Sequence, residues 1–207
     1  FGFNFQNLNL DLSGNLKTIQ GLDGKGYFYD GKLFGDLKAR ESALYFKFFE
    51  APQILKNMKG NIFLDFNDKF KIPYANITAS NEEKELKLTF KYADEFQLQM
   101  YTNGNEEVLF SYLTRSQKEM KNFLRESNLK AEKLDILFSI SSLNDNLNFS
   151  SVILSETSQI NIGNAEFKVN SLKTYVDNAS LKLFGDDFYV SEYSLGSMYL
   201  VNNFSSE

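Results

Sequence analysis

The stretch Leu86-Lys87-Leu88-Thr89-Phe90-Lys91-Tyr92 alternates apolar and polar residues with a period of two. In an extended chain that spacing puts Leu86, Leu88, Phe90 and Tyr92 on one side and Lys87, Thr89 and Lys91 on the other, the pattern of a strand with one wet face. The alternation recurs along most of the 207 residues, so the chain reads as mainly β. Strand candidates fall at 43–49, 61–66, 70–79, 85–92, 95–102 and 108–113. Further candidates follow at 133–141, 148–154, 159–162, 166–170, 179–184 and 188–190.

Turn signals separate these runs. Asp30-Gly31 predicts a tight hairpin, because both central residues of a type I′ turn need positive φ, and Asn103-Gly104 reads as a turn into the run at 108–113. Gly14-Asn15 breaks the first run, and the three glycines between Gly21 and Gly26 read as a hairpin region. Phe1, Phe3 and Phe5 alternate in one parity, whereas Leu8, Leu10 and Leu12 alternate in the other. The phase flip at Gln6-Asn7 calls for a bulge or short turn. Consecutive strands with short connections predict antiparallel neighbours.

One helix stands out at 116–127. Ser116 and Glu119 match a capping box, Met120, Phe123 and Leu124 form one apolar stripe, and Asn128 is placed to end it. The segment 52–59 adds at most a turn or two of helix. A helix of about three turns cannot cover a sheet of this extent. The expected fold is therefore a mainly β, antiparallel, curved open sheet or β-groove with one short helix, and a closed sandwich or barrel is the alternative. The expected organisation is a single β-rich domain over 1–207, with 114–130 as the place where it would divide. Because the chain opens inside an alternating run, without Met or a signal-peptide core, it reads as a segment of a longer precursor.

Composition removes several function classes. The net charge is −5, from 22 basic and 27 acidic residues that are well mixed, so no basic tract tracks a phosphate backbone and nucleic acid is not an expected partner. Without histidine or cysteine, Ser-His-Asp and Cys-His nucleophile systems and most zinc, copper and haem ligation are ruled out. Asp186-Asp187 and Glu82-Glu83 are paired carboxylates, but neighbours in a strand point to opposite faces. The run from Asn144 to Asn148 lacks the turn glycine and downstream glutamate of a calcium loop, and the glycines at 21–26 lack dinucleotide-fingerprint spacing. No catalytic residue, metal ligand or cofactor is expected, and the chain does not read as an enzyme. No run approaches the roughly 20 apolar residues of a membrane-spanning helix.

Apolar residues in matched phase remain. Ile62, Leu64 and Phe66 share one strand face, as do Leu88 and Phe90, Leu98 and Met100, and Ile136 and Phe138. If such faces join, they form a continuous apolar surface. The candidate ligand-lining residues are Leu64, Phe66, Leu88, Phe90, Leu98, Met100, Ile136 and Phe138, and the expected ligand is the acyl chain of a lipid or other amphiphile. The bland reading of the same residues is the interior of a closed core. The 21 phenylalanines count for little by number, since 19 lysines against three arginines and abundant Asn and Ile point to AT-rich coding.

The segments Leu10-Asp11-Leu12-Ser13-Gly14-Asn15-Leu16, Gly24-Lys25-Gly26-Tyr27-Phe28-Tyr29-Asp30-Gly31-Lys32-Leu33 and Met58-Lys59-Gly60-Asn61-Ile62-Phe63-Leu64-Asp65-Phe66 resemble the short, glycine-punctuated strands of the AsmA-like and TamB-like proteins of the Gram-negative envelope. The resemblance covers roughly the first half of the chain. It implies a periplasmic portion of a protein anchored to the inner membrane, with a lengthwise apolar groove that shields phospholipid tails and membrane contact only through segments outside this chain. A length of 207 residues would be only part of such a groove, and the helix near Ser116 interrupts a pure strand ladder. The rival expectation is a structural or adhesive envelope domain acting through protein contacts at loops such as Asn103-Gly104-Asn105.

Overall fold

The computed structural model describes residues 1–11, 16–44, 53–67, 70–80, 85–93, 95–112, 118–143 and 146–204. Seven strands come first: β1 (Gly2–Asp11), β2 (Leu16–Tyr29), β3 (Lys32–Leu44), β4 (Gln53–Asp65), β5 (Lys71–Ser80), β6 (Glu85–Tyr92) and β7 (Phe96–Gly104). Helices α1 (Glu106–Tyr112) and α2 (Lys118–Glu126) follow. The chain then runs through β8 (Lys130–Glu132), β9 (Leu134–Leu143), β10 (Asn146–Ile162), β11 (Ala165–Asp177), β12 (Ser180–Val190) and β13 (Tyr193–Asn203).

Among the described residues the strands form one antiparallel sheet in the order β1-β2-β3-β4-β5-β6-β7-β9-β10-β11-β12-β13, with β8 paired to β10. The order has two ends, so the sheet is open rather than closed into a barrel. Nearly every strand pairs with its neighbour in sequence, as expected when two extended segments are joined by a turn too short to reach anywhere else. Asp30 and Gly31 have φ values of 49° and 67°, the two left-handed residues that a type I′ hairpin between β2 and β3 demands.

Several local expectations need correction. Residues 108–112 of the run at 108–113 fall on helix α1, not on a strand. The Asn105 side chain accepts the Glu107 N–H at 3.1 Å, and Glu106 and Glu107 occupy the first turn, so a capped start with favourable dipole charges outweighs the apparent alternation. Residues 53–59 of the segment 52–59 are not helical but belong to strand β4. Gly21 to Gly26 lies inside the uninterrupted strand β2, while 148–154 and 159–162 belong to the single strand β10. Strand β13 lies beyond 188–190, the last stretch that the alternation marks as a strand. The break at Gly14-Asn15, the pair Glu82-Glu83, residues 45–49 and the Ser116 cap lie outside the described residues.

Two compact units divide the chain: Phe1–Met100 with Ile140–Leu147, and Tyr101–Ser139 with Asn148–Glu207. In the first unit, left-handed residues punctuate long strands. Asn7 (φ 52°) sits where the β1–β2 register shifts between Phe5 and Leu8, which is the bulge required by the phase flip. The bulge is stitched by side chains: Asp23 accepts the Asn7 N–H at 2.8 Å and Asn9 accepts the Gly21 N–H at 3.0 Å. On β4, Asn57 (φ 51°) shifts the alternation by one, so that Leu55 and Met58, three residues apart, reach the same cluster. Pro73 marks the third irregularity. It has no N–H to donate, and the registers with both β4 and β6 slip around it. Leu55, Ala79 and Leu86 are the buried members of the unit's apolar cluster, against which Met58, Leu88 and Met100 pack.

The second unit combines strands with both helices. Val108 of α1 joins Ala131, Leu134 and Ile136 in a buried cluster, with Leu109 and Ile153 packed around it. Glu106 accepts the Ala131 N–H at 3.1 Å, tying α1 to β8. The Arg125 guanidinium of α2 lies 5.1 Å from the Phe110 ring centre and pairs with Glu107 at 3.4 Å. Asn128 (φ 51°) ends α2 where the sequence places it. Between β11 and β12 the Asp177 carboxylate accepts the N–H groups of Ala179 and Ser180 at 2.8 and 2.7 Å.

Leu55→Ala removes a side chain only 4% exposed and is expected to cost about 2–5 kcal/mol in denaturant unfolding. The hydrogen bonds from Ala179, then Ser180, hold Asp177 below its ordinary pKa of 3.8. A carboxylate with a lowered folded pKa contributes stability above its unfolded pKa and loses it as pH falls through the folded value. Asp177→Asn is therefore expected to destabilise the protein at neutral pH, and the gap from wild type should close in acid. Equilibrium unfolding measured across that range checks both statements.

Candidate functional site

The first unit presents two contrasting faces, and the strand register assigns residues to each. Phe3 pairs with Gly26, Gly26 with Gly35, Gly35 with Ile62, Ile62 with Ala75 and Ala75 with Phe90. The adjacent row on the same side runs Phe5, Gly24, Leu37, Gly60, Ile77 and Leu88, and a third joins Phe28, Leu33 and Leu64. Directly opposed residues in an antiparallel pair project to the same side, so these rows tile one face with apolar groups and glycine.

Glycine is there for the space it leaves. The Phe5 ring fills the position of a Gly24 Cβ, its Cζ lying 2.2 Å from where that atom would sit. At Gly26 the added carbon would meet the Phe34 carbonyl oxygen at 2.1 Å and the Phe3 ring at 2.6 Å. The rings of Phe3 and Phe5, 6.2 Å apart and nearly parallel, therefore lie flat across bare backbone instead of standing clear of it. A flat aromatic ring over glycine buries apolar area on both partners where no other side chain could fit.

The opposite face is polar apart from one aromatic line. Tyr27, Phe34 and Phe63 stack across β2, β3 and β4 with ring centres 5.0 and 4.2 Å apart. Beside them Lys25, Asp36, Asn61, Asn76 and Thr89 pair in register, Thr89 donating to Asn76 at 2.8 Å.

The eight residues singled out from the sequence divide between the units. Leu64, Leu88, Phe90, Leu98 and Met100 are half-buried in the first unit. Leu88 and Met100 pack on the Leu55–Ala79–Leu86 cluster, and the Phe90 ring meets Phe96 edge-on at 5.5 Å. Phe66, just past β4, is 49% exposed, with its ring 6.3 Å from Phe28 and 5.6 Å from Phe70. In the second unit Ile136 is only 7% exposed within the cluster under α1, whereas Phe138 is half-buried with its ring 6.4 Å from Phe149. The stripe on α2 buries nothing completely, and Met120 and Phe123 are each about half exposed.

Sequence reasoning passed over Phe3, Phe5 and the glycines beneath them. Their signal was present: phenylalanines at 1, 3 and 5, and Gly24 and Gly26 also two apart, share the strand period. No family model, curated protein or solved structure matches the chain.

Gly26→Ala drives a methyl group into the Phe34 carbonyl and the Phe3 ring, and is expected to cost about 1–3 kcal/mol. Gly2→Ala on the same sheet, where the nearest atom is 3.7 Å away, should stay within about 0.5 kcal/mol of wild type. Matched denaturation curves for the two variants test whether the glycine positions are demanded by cross-strand packing.

Proposed function

We propose that the protein binds lipid acyl chains along the apolar face of its first unit, as a non-enzymatic module of envelope lipid transport or homeostasis. The observation that carries this reading is an aligned apolar face left half-buried. Leu64, Leu88, Phe90 and Leu98 are neither sealed in a core nor fully solvated, and Phe28 and Phe66 are 39% and 49% exposed toward one end. The described residues of this unit contain no helix to cover it. An acyl chain laid on such a face gains roughly 25 cal/mol per Å2 of apolar surface removed from water, spread over many contacts. Affinity then depends on the row as a whole, and single truncations should have small effects.

The resemblance to AsmA-like and TamB-like strands supports placing this activity on the periplasmic side of a Gram-negative envelope, in a protein anchored to the inner membrane. A structural domain acting through protein contacts is the second reading, favoured by the stacked Tyr27–Phe34–Phe63 line on the opposite face, where Tyr27 is 54% exposed.

Native mass spectrometry of the purified chain and displacement of a fluorescent fatty acid separate the two. Lipid carried through purification, with the probe displaced by phospholipid, is the expected result; a chain that holds no lipid and leaves the probe unmoved sinks the proposal. Leu64→Asp and Phe90→Asp should remain folded by circular dichroism and lose probe binding about tenfold, the effect of roughly 1.4 kcal/mol. Leu86→Asp, which buries a charge at a site 5% exposed, should unfold the protein instead.

A further inference from the structure

We propose that the exposed side of β11 and β12, in the second unit, is a binding site for an acidic sugar, a pyranose ring that carries a carboxylate or a phosphate. The inference is independent of lipid binding, which belongs to the first unit.

Aromatic rings stand here where core packing does not call for them. Leu172, Val176, Leu181 and Leu183 take the half-buried side of the two strands, whereas Lys173, Tyr175, Lys182 and Phe184 are on the exposed side. Lys173 pairs with Phe184 and Tyr175 pairs with Lys182, so rings and cations alternate as a checkerboard. The Tyr175 and Phe184 rings stand at 88° to each other with centres 5.9 Å apart. Tyr199, opposite Phe184 on β13, packs on that ring from the side away from β11 at 4.6 Å. Ring surface is therefore presented in two planes, as a corner and not a flat patch.

The backbone closes one end of this corner. The register between β11 and β12 slips at the left-handed Ser171 (φ 49°), a bulge of the kind found beside binding sites. Ser171 and Asp186 line the same cavity as the rings and lysines, with a volume of about 550 Å3. Small-ligand sites run to roughly 300–1,000 Å3.

Charge selects the ligand. Among the described residues neither Lys173 nor Lys182 makes an ion pair, in a chain whose net charge is −5. Asp177 also borders the cavity, but its carboxylate is taken up by the β11–β12 turn. It accepts the Ala179 and Ser180 N–H groups, the main cause of its lowered pKa, and Lys182 contributes less. Both ammonium groups remain for an anion. An acyl chain would leave the lysines unused, and a bare phosphate would leave the rings unused. A sugar acid engages both. Its C–H groups, made positive by the oxygens attached to them, seat on the negative face of an aromatic ring, while its charged substituent meets an ammonium. Ser171 and Asp186 accept protons from its hydroxyls.

Isothermal titration calorimetry of the 207-residue chain tests this, with galacturonic acid and glucose 6-phosphate as probes. One or both are expected to bind with Kd near or below about 1 mM, and glucose and inorganic phosphate at least about tenfold more weakly. Lys173→Gln and Tyr175→Thr, both on the exposed side, should each weaken the bound probe about tenfold with unchanged circular dichroism, and affinity should fall as salt rises. Lys38→Gln, an exposed lysine of the first unit, should change nothing. Trigalacturonate distinguishes the sources: tighter binding than the monomer assigns the site to an acidic polysaccharide, equal binding to a single acidic sugar. Glucose or phosphate binding as tightly as the acidic sugars, tighter binding of 4-hydroxybenzoate or AMP, indifference to both site variants, or no binding of either probe up to about 10 mM would each overturn the assignment.

Discussion

Backbone pairing between strands adjacent in sequence is the interaction on which the structure depends. Only eleven hydrophobic residues are buried among those described, and four of them are alanine. The hydrogen-bond ladder leaves few main-chain groups unpaired inside the sheet, and cross-strand side-chain contacts add increments along each row. The ladder therefore sets the faces, and the faces set everything proposed about ligands.

Long strands would drift out of phase with their neighbours unless corrected. Left-handed residues at Asn7 and Asn57 in the first unit, and at Ser171 and Asp187 in the second, each interrupt a strand and change which residues share a face. Three of them coincide with register shifts: Asn7 at Phe5/Leu8, Asp187 at Gly185/Phe188 and Ser171 at Asn170/Lys173. The outcome is visible at Leu55 and Met58: three residues apart, they share a cluster only because Asn57 lies between them. Asparagine, aspartate and serine serve here because short polar side chains tolerate the left-handed region or satisfy local N–H groups.

Much of this was legible from local pattern. The alternation at 85–92 coincides with strand β6 from end to end, the Asp30-Gly31 hairpin follows from its turn chemistry, and the Asn7 bulge follows from a parity flip between phenylalanines and leucines. Val108, Phe110 and Tyr112 alternate as in a strand, although the segment is helix α1. Val108 joins the cluster on β8 and β9 while Phe110 lies beneath Arg125, so two directions of the helix are covered and the helical period is masked. Strand β13 is not legible in the sequence because its apolar residues, Met198 to Val201, run together instead of alternating.

The sequence by itself determined the extended character of most segments, the phase of their apolar residues, the tight turns and the absence of histidine and cysteine chemistry. These depend on neighbours a few residues away. Tertiary structure alone decided that Phe3 lies over Gly26, that Ile136 is covered by α1 while Phe66 is half open, and which strands stand at the ends of the order. Those facts depend on register between strands and on packing across elements, and no residue carries information about a partner that the folded chain has yet to bring beside it.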